Sequence, residues 1–260
     1  KANRFANLLA SRGVGKGDKV AILLMNGIEW LPVYFGVLKS GAVVVPLNFR
    51  YTAEEIDYCV GLADVDVLVF GPEFTGRVES VAHKISRGRL LFYVGEDCPT
   101  FAENYHLLTA MCPSSDPMVP ISETDDAAIY FSSGTTGFPK AILHPHRSLT
   151  QAAQMEQNHH FMHWLGSLLV GGRAVLLRGV TPEAILRTVS DERCTIVWLL
   201  VPWAQDILLA IEQGKVDPAD YELSQWRLMH IGAQPVPKSL VRRWLEVFPG
   251  QQYDTNYGLS

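Results

Sequence analysis

Short apolar runs rich in Val, Ile and Leu alternate along this chain with stretches whose apolar residues recur at helical spacing. Residues 4–10 put Phe5, Leu8 and Leu9 on one helical face, and Gly13 ends the pattern. A turn at Lys16-Gly17-Asp18-Lys19 leads into a strand over 20–24. Residues 29–39 carry Trp30, Leu31, Val33, Tyr34, Val37 and Leu38, which predicts a helix apolar over much of its surface. Gly41 stops it, and the unbroken apolar run 42–46 reads as a strand buried on both faces. Thr52 is placed to cap the next helix, with Glu55 three residues on completing a capping box. A strand over 65–70, a helix over 74–84 and a strand over 90–94 follow. From Gly95 to Thr124 periodicity gives way to Pro, Ser, Glu and Asp, which reads as a surface connection and a subdomain boundary.

The second half repeats the alternation. Strands are expected over 127–130, 141–143, 174–177, 195–200 and 227–230, and helices over 147–157, 161–169, 203–211 and 239–248. Pro182 behind Thr181 starts another helix, with Ile185, Leu186 and Val189 as its apolar stripe. Alternation of this kind predicts an α/β architecture, mainly parallel sheets flanked by helices, in two subdomains, 1–124 and 125–260.

Composition narrows the function classes. A net charge of -5 gives no support to a nucleic-acid binder, and no window approaches the roughly 18 apolar residues of a membrane span. Cys59, Cys98, Cys112 and Cys194 are scattered without a CxxC, so they read as reduced thiols in a cytoplasmic protein rather than as a zinc site. His159, His160 and His163 suggest a metal cluster, but nothing supplies a fourth ligand, so no metal site is assigned. The chain opens at Lys1 without a methionine and reads as part of a longer protein.

The chemistry concentrates between the strands at 127–130 and 141–143. Ser132, Ser133, Gly134, Thr135, Thr136, Gly137 and Lys140 place four hydroxyls, two glycines and a lysine in nine residues. Glycines let backbone N–H groups approach a ligand, hydroxyls donate hydrogen bonds and lysine adds charge, so the inventory suits a polyanion. A polar surface hairpin draws on the same residue types. A Walker loop would need glycine and lysine followed by a hydroxyl residue and a helix, whereas here Pro139-Lys140-Ala141 leads into a strand. No GxGxxG opens a helix after a strand either.

The run from Tyr130 to Lys140 resembles the signature loop of the adenylate-forming enzymes, which include acyl-CoA synthetases, peptide-synthetase adenylation domains and luciferases. Residues 18–23 and 38–48 resemble two early core motifs of that family. Ile231-Gly232-Ala233-Gln234-Pro235 resembles its adenine-side segment, and Asn256-Tyr257-Gly258-Leu259-Ser260 resembles its Tyr-Gly-x-Thr-Glu motif, cut before the glutamate. The resemblance implies that a carboxylic acid is activated by ATP and then passed to a thiol, commonly coenzyme A, with Mg²⁺ bridging the phosphates.

It further implies that the loop holds the β- and γ-phosphates and that Thr136 approaches the metal. Gly232, Ala233 and Gln234 would line the adenine pocket, and Asn256 and Gly258 would flank Tyr257 as it stacks on the base. Ser260 would reach the α-phosphate. The hinge and the carboxy-terminal domain with its catalytic lysine would lie outside the chain, so the domain is incomplete. Trp203 and His230, near strand ends, are candidates for the acid pocket.

One departure from the family pattern falls where Asn158-His159-His160 meets Phe161: the strand-and-turn segment expected there is either deleted or skipped by the numbering, and the second is favoured because a deletion would remove a core strand and part of the acyl pocket. The leading reading is an acyl-CoA synthetase for a fatty or aryl acid, with a homodimer left open. A peptide-synthetase adenylation domain is the runner-up, disfavoured because no aspartate stands near the strand at 227–230. A non-catalytic nucleotide-binding fragment is the third reading.

Overall fold

The computed structural model describes residues 1–85, 90–132, 139–155, 167, 171–232 and 234–255. The chain divides into two compact units, Lys1–Ala152 and Ala153–Ser260.

In the first unit, seven strands form one sheet. They are β1 (Lys19–Leu23), β2 (Val43–Pro46), β3 (Val67–Phe70), β4 (Leu90–Tyr93), β5 (Glu103–Asn104), β6 (Asp126–Ser132) and β7 (Lys140–Pro145), in the order β5-β4-β3-β1-β2-β6-β7. Neighbours run parallel except β6 and β7, which form an antiparallel hairpin. Val43, Val44 and Val45 of β2 are all buried, as an unbroken apolar run in a sheet covered on both faces requires.

Among the described residues the helices that accompany this sheet are α1 (Ala2–Ser11), α2 (Trp30–Lys39), α3 (Ala53–Leu62), α4 (Thr75–Ile85), α5 (Tyr105–Ala110) and α6 (His146–Met155). One core cluster joins Leu23, Val45, Ile56, Val60, Leu68, Phe70 and Phe74. Gly36 lets α2 approach α1 closely, since a Cβ there would stand 2.8 Å from Cδ1 of Phe5. The capping box forms as read: Thr52 Oγ1 accepts from the Glu55 N–H at 3.2 Å, and the Glu55 carboxylate accepts from the Thr52 N–H at 2.8 Å.

The second unit holds β8 (Ile196–Leu200), β9 (Leu228–Gly232) and β10 (Gln252–Thr255), parallel and ordered β10-β9-β8. Its helices are α7 (Pro182–Asp191), α8 (Val201–Glu212) and α9 (Lys238–Val247). Thr181 caps α7 by accepting from the Ala184 N–H at 3.2 Å. The core gathers Leu186, Ile207, Leu208, Met229 and Ile231 around Trp226 and Trp244, whose rings meet edge to face at 5.5 Å.

The structure differs from the sequence reading in three places. The stretch 95–124 holds β5 and α5, where Asn104 caps α5 by accepting from the Leu107 N–H at 2.9 Å. It leads back into the same sheet, so the division falls after Ala152 rather than at Thr124. Residues 174–177 form no strand: no described strand pairs with them, and Val175 and Leu176 are exposed. The polar run Gln252–Thr255 is a strand, recruited through backbone pairing with β9. The helix expected over 161–169 lies outside the described residues apart from Ser167.

Candidate nucleotide-binding site

The hairpin of β6 and β7 carries the candidate phosphate loop. Its ladder runs Ile129↔Leu143, Tyr130↔Ile142, Phe131↔Ala141 and Ser132↔Lys140, so the lysine stands directly across from the serine that opens the loop. Lys140 begins a strand and not a helix, in keeping with the rejection of a Walker loop. Ser132 is half-buried and Lys140 exposed. Lys1, Lys16 and Lys84 each meet a carboxylate within 3.3 Å, and Lys39 pairs with Asp116. Among the described residues no ion pair engages Lys140, as is also true of Lys19, Lys215 and Lys238. Ser133, Gly134, Thr135, Thr136 and Gly137 lie outside the described residues.

The base of the hairpin is held from α2. The Tyr34 and Tyr130 hydroxyls lie 2.8 Å apart, and the Tyr130 ring meets His144 of β7 edge to face at 5.5 Å. Burial raises the pKa of both phenols, so the pair stays neutral through the ordinary pH range. Beyond β7, the His146 N–H donates to the Asp125 carbonyl at 2.9 Å, joining the start of α6 to the start of β6. Lys16 meets the Asp125 carboxylate at 2.8 Å and holds it below its usual range.

In the second unit, β8, β9 and β10 end at one edge of a parallel sheet, the edge where such sheets bind ligands. Gly232, buried, ends β9 opposite Leu200, and Gln234 is exposed. Ala233, Asn256, Tyr257, Gly258 and Ser260 lie outside the described residues; the Tyr-Gly segment begins directly after β10.

Trp203 and His230 both border Trp198. Trp203 meets its ring edge to face at 6.1 Å, and His230 is its register partner. Trp203 is half-buried and His230 has no exposed surface. The β9–β10 ladder places Asp254 beside His230. Sequence reasoning found no aspartate near this strand, because Asp254 and His230 are brought together only by a pairing between distant segments.

A depression of about 520 Å³ is lined by Leu228, Leu245, Gln251, Gln252, Tyr253 and Asp254. Among the described residues no group of three His, Cys, Asp or Glu side chains could hold a metal ion. No helix of the described residues is long and apolar enough to cross a membrane.

A mainly parallel α/β chain with a hydroxyl- and glycine-rich hairpin ending in lysine defines an adenylate-forming fold. The chain belongs to the AMP-binding enzyme family, whose model matches residues 1–260. The long-chain-fatty-acid–CoA ligase FadD13 of Mycobacterium tuberculosis (strain ATCC 25618 / H37Rv) is 26% identical over 256 residues, covering 93% of this chain and 50% of the relative.

The medium/long-chain-fatty-acid–CoA/3-oxocholest-4-en-26-oate–CoA ligase of Mycobacterium marinum (strain ATCC BAA-535 / M) is 32% identical and covers 100% of this chain and 54% of the relative. That alignment spans 305 residues against 260 here, so the relative has residues with no counterpart in this chain. The anthranilate CoA ligase AuaEII, solved with anthranoyl-AMP, superposes with a TM-score of 0.85 at 24% identity, over 98% of this chain and 52% of that one. The chain spans about half the length of the curated relatives it matches.

Proposed function

We propose that this chain is the nucleotide-binding part of an ATP-dependent acyl-CoA synthetase, an AMP-forming acid–thiol ligase. A carboxylate oxygen attacks the α-phosphorus of ATP, the bond from that phosphorus to the bridging oxygen breaks, and pyrophosphate leaves. The thiol of coenzyme A then attacks the acyl carbonyl and AMP departs. The observation that carries this reading is the hairpin register, which fixes Lys140 opposite Ser132 with no carboxylate of the described residues neutralising it. Ser132, Ser133, Thr135 and Thr136 would donate hydroxyls to the β- and γ-phosphates, Gly134 and Gly137 backbone N–H groups, and Lys140 the compensating charge. Donors fixed before the reaction stabilise the charge that moves onto pyrophosphate.

Gly232, Ala233, Gln234, Asn256, Tyr257, Gly258 and Ser260 are proposed for the adenosine side of ATP, with Tyr257 stacking on the base. Trp203, half-buried, is proposed for the acid pocket together with His230, which stands beside Trp198 on the neighbouring strand. Mg²⁺, bound with ATP, would neutralise phosphate charge. The proposal includes cytoplasmic location and small-molecule partners, namely a fatty or aryl carboxylic acid, ATP and coenzyme A. Light scattering on the purified protein decides whether it is also a homodimer.

A second reading, an amino-acid-activating domain, gains from Asp254, which could face a substrate ammonium beside His230. Both are tested by pyrophosphate release from the full-length protein against fatty acids, aryl acids and amino acids, with and without coenzyme A. Release with fatty or aryl acids and thioester formation support the first reading. Release with amino acids alone supports the second, and no release with any acid refutes both.

A further inference from the structure

The hairpin that carries Ser132 and Lys140 reaches past its support in the sheet. The register joins β2 to β6 at Val44↔Ala128 and β2 ends two residues on, at Pro46, whereas β6 continues to Ser132, paired there with β7 at the end of the strand order. One face of this overhang is packed by Phe131, which lies against the first core cluster. Apolar packing of that kind is non-directional.

The directional contact is on the other face. Tyr130 lies there, on the same face of β6 as Ser132 by the alternation of a strand. Its hydroxyl is 2.8 Å from that of Tyr34, a residue separated from it by 96 positions. Tyr34 is itself held firmly: it is 1% exposed, its ring stacks on Trp30 at 5.2 Å with 14° between planes, and Phe35 meets it edge to face at 5.8 Å.

We propose that Tyr34 is a positioning residue for adenylation, acting through the Tyr130 hydroxyl to fix how far the hairpin, and with it Ser132 and Lys140, projects toward the phosphates of ATP. The inference rests on the ATP-binding role proposed above. Neither tyrosine is among the residues assigned above to ATP or the acid, so the expected signature is a change in the use of ATP with the acid unaffected.

The test uses the full-length protein as wild type, Tyr34→Phe, Tyr130→Phe and the double variant, with acid-dependent ATP–pyrophosphate exchange and thermal midpoints measured on each. Loss of one hydrogen bond raises KM for ATP by about fivefold in each single variant. KM for the acid stays at the wild-type value, and the double variant is no worse than either single one, because both remove the same bond. An unchanged KM for ATP in both single variants overturns the proposal. So does a parallel rise of both KM values together with a lowered midpoint, which would mark a purely structural contact. A wild-type protein without exchange refutes the proposed function itself and takes this inference with it, an outcome distinct from active wild type with unaltered variants.

Discussion

Lys140 stands across the β6–β7 ladder from Ser132, so the two ends of the hydroxyl-rich loop are fixed to one rung of an antiparallel hairpin. That geometry differs from a loop leading into a helix, where backbone N–H groups of the helix end would hold the anion. Here the positive charge comes from one side chain at the start of a strand. The functional weight on Lys140 is correspondingly high.

The second unit offers a direct stability test. Trp244, with no exposed surface, donates its indole N–H to Oε1 of the buried Gln251 at 2.8 Å. Gln251→Leu removes the acceptor and leaves a buried donor, which costs about 1–3 kcal/mol. Urea unfolding followed by tryptophan fluorescence should show a lowered midpoint with unchanged slope. An unaltered midpoint would mean that the indole finds another acceptor.

Thr52→Ala removes the side-chain half of the α3 capping box and should destabilise the first unit by about 1 kcal/mol. Thr52→Ser, which keeps the acceptor, should restore most of that loss in the same unfolding measurement.

The capping box was legible because its two residues are three apart in sequence, as were the parallel core strands, whose apolar runs announce burial on both faces. Other features depend on long-range pairing. Gln252–Thr255 has the composition of a loop and becomes β10 only because β9 supplies a ladder, which also brings Asp254 beside His230. Tyr34 read as one more apolar position on α2; its role against Tyr130 requires the packing of α2 on the hairpin. Val175 and Leu176 show the converse, an apolar run that forms no strand because no described strand pairs with it. At the candidate site, the residue types pointed to a polyanion, while the rung joining Ser132 and Lys140 came from the structure.

Protonation of His146 should weaken the fold in mildly acidic solution. Burial lowers its pKa below the usual value of 6.5, and the nearby Asp125 carboxylate opposes that shift without cancelling it. The unfolded chain then binds the proton more readily than the folded one. Stability is therefore full above about pH 6.5 and falls as pH drops toward the folded-state pKa. The stability of His146→Asn should fall less than wild type between about pH 7 and pH 5.5, as read by urea unfolding at each pH. Equal slopes for the two proteins would show that His146 does not contribute.

The most direct test of the adenylation site is acid-dependent ATP–pyrophosphate exchange by the full-length protein and its Lys140→Ala variant, using an acid that the wild type activates. Removing a preorganised charge of this kind should lower the exchange rate by about a hundredfold or more, with the fold intact by circular dichroism. Exchange at the wild-type rate in Lys140→Ala would contradict the role assigned to the hairpin.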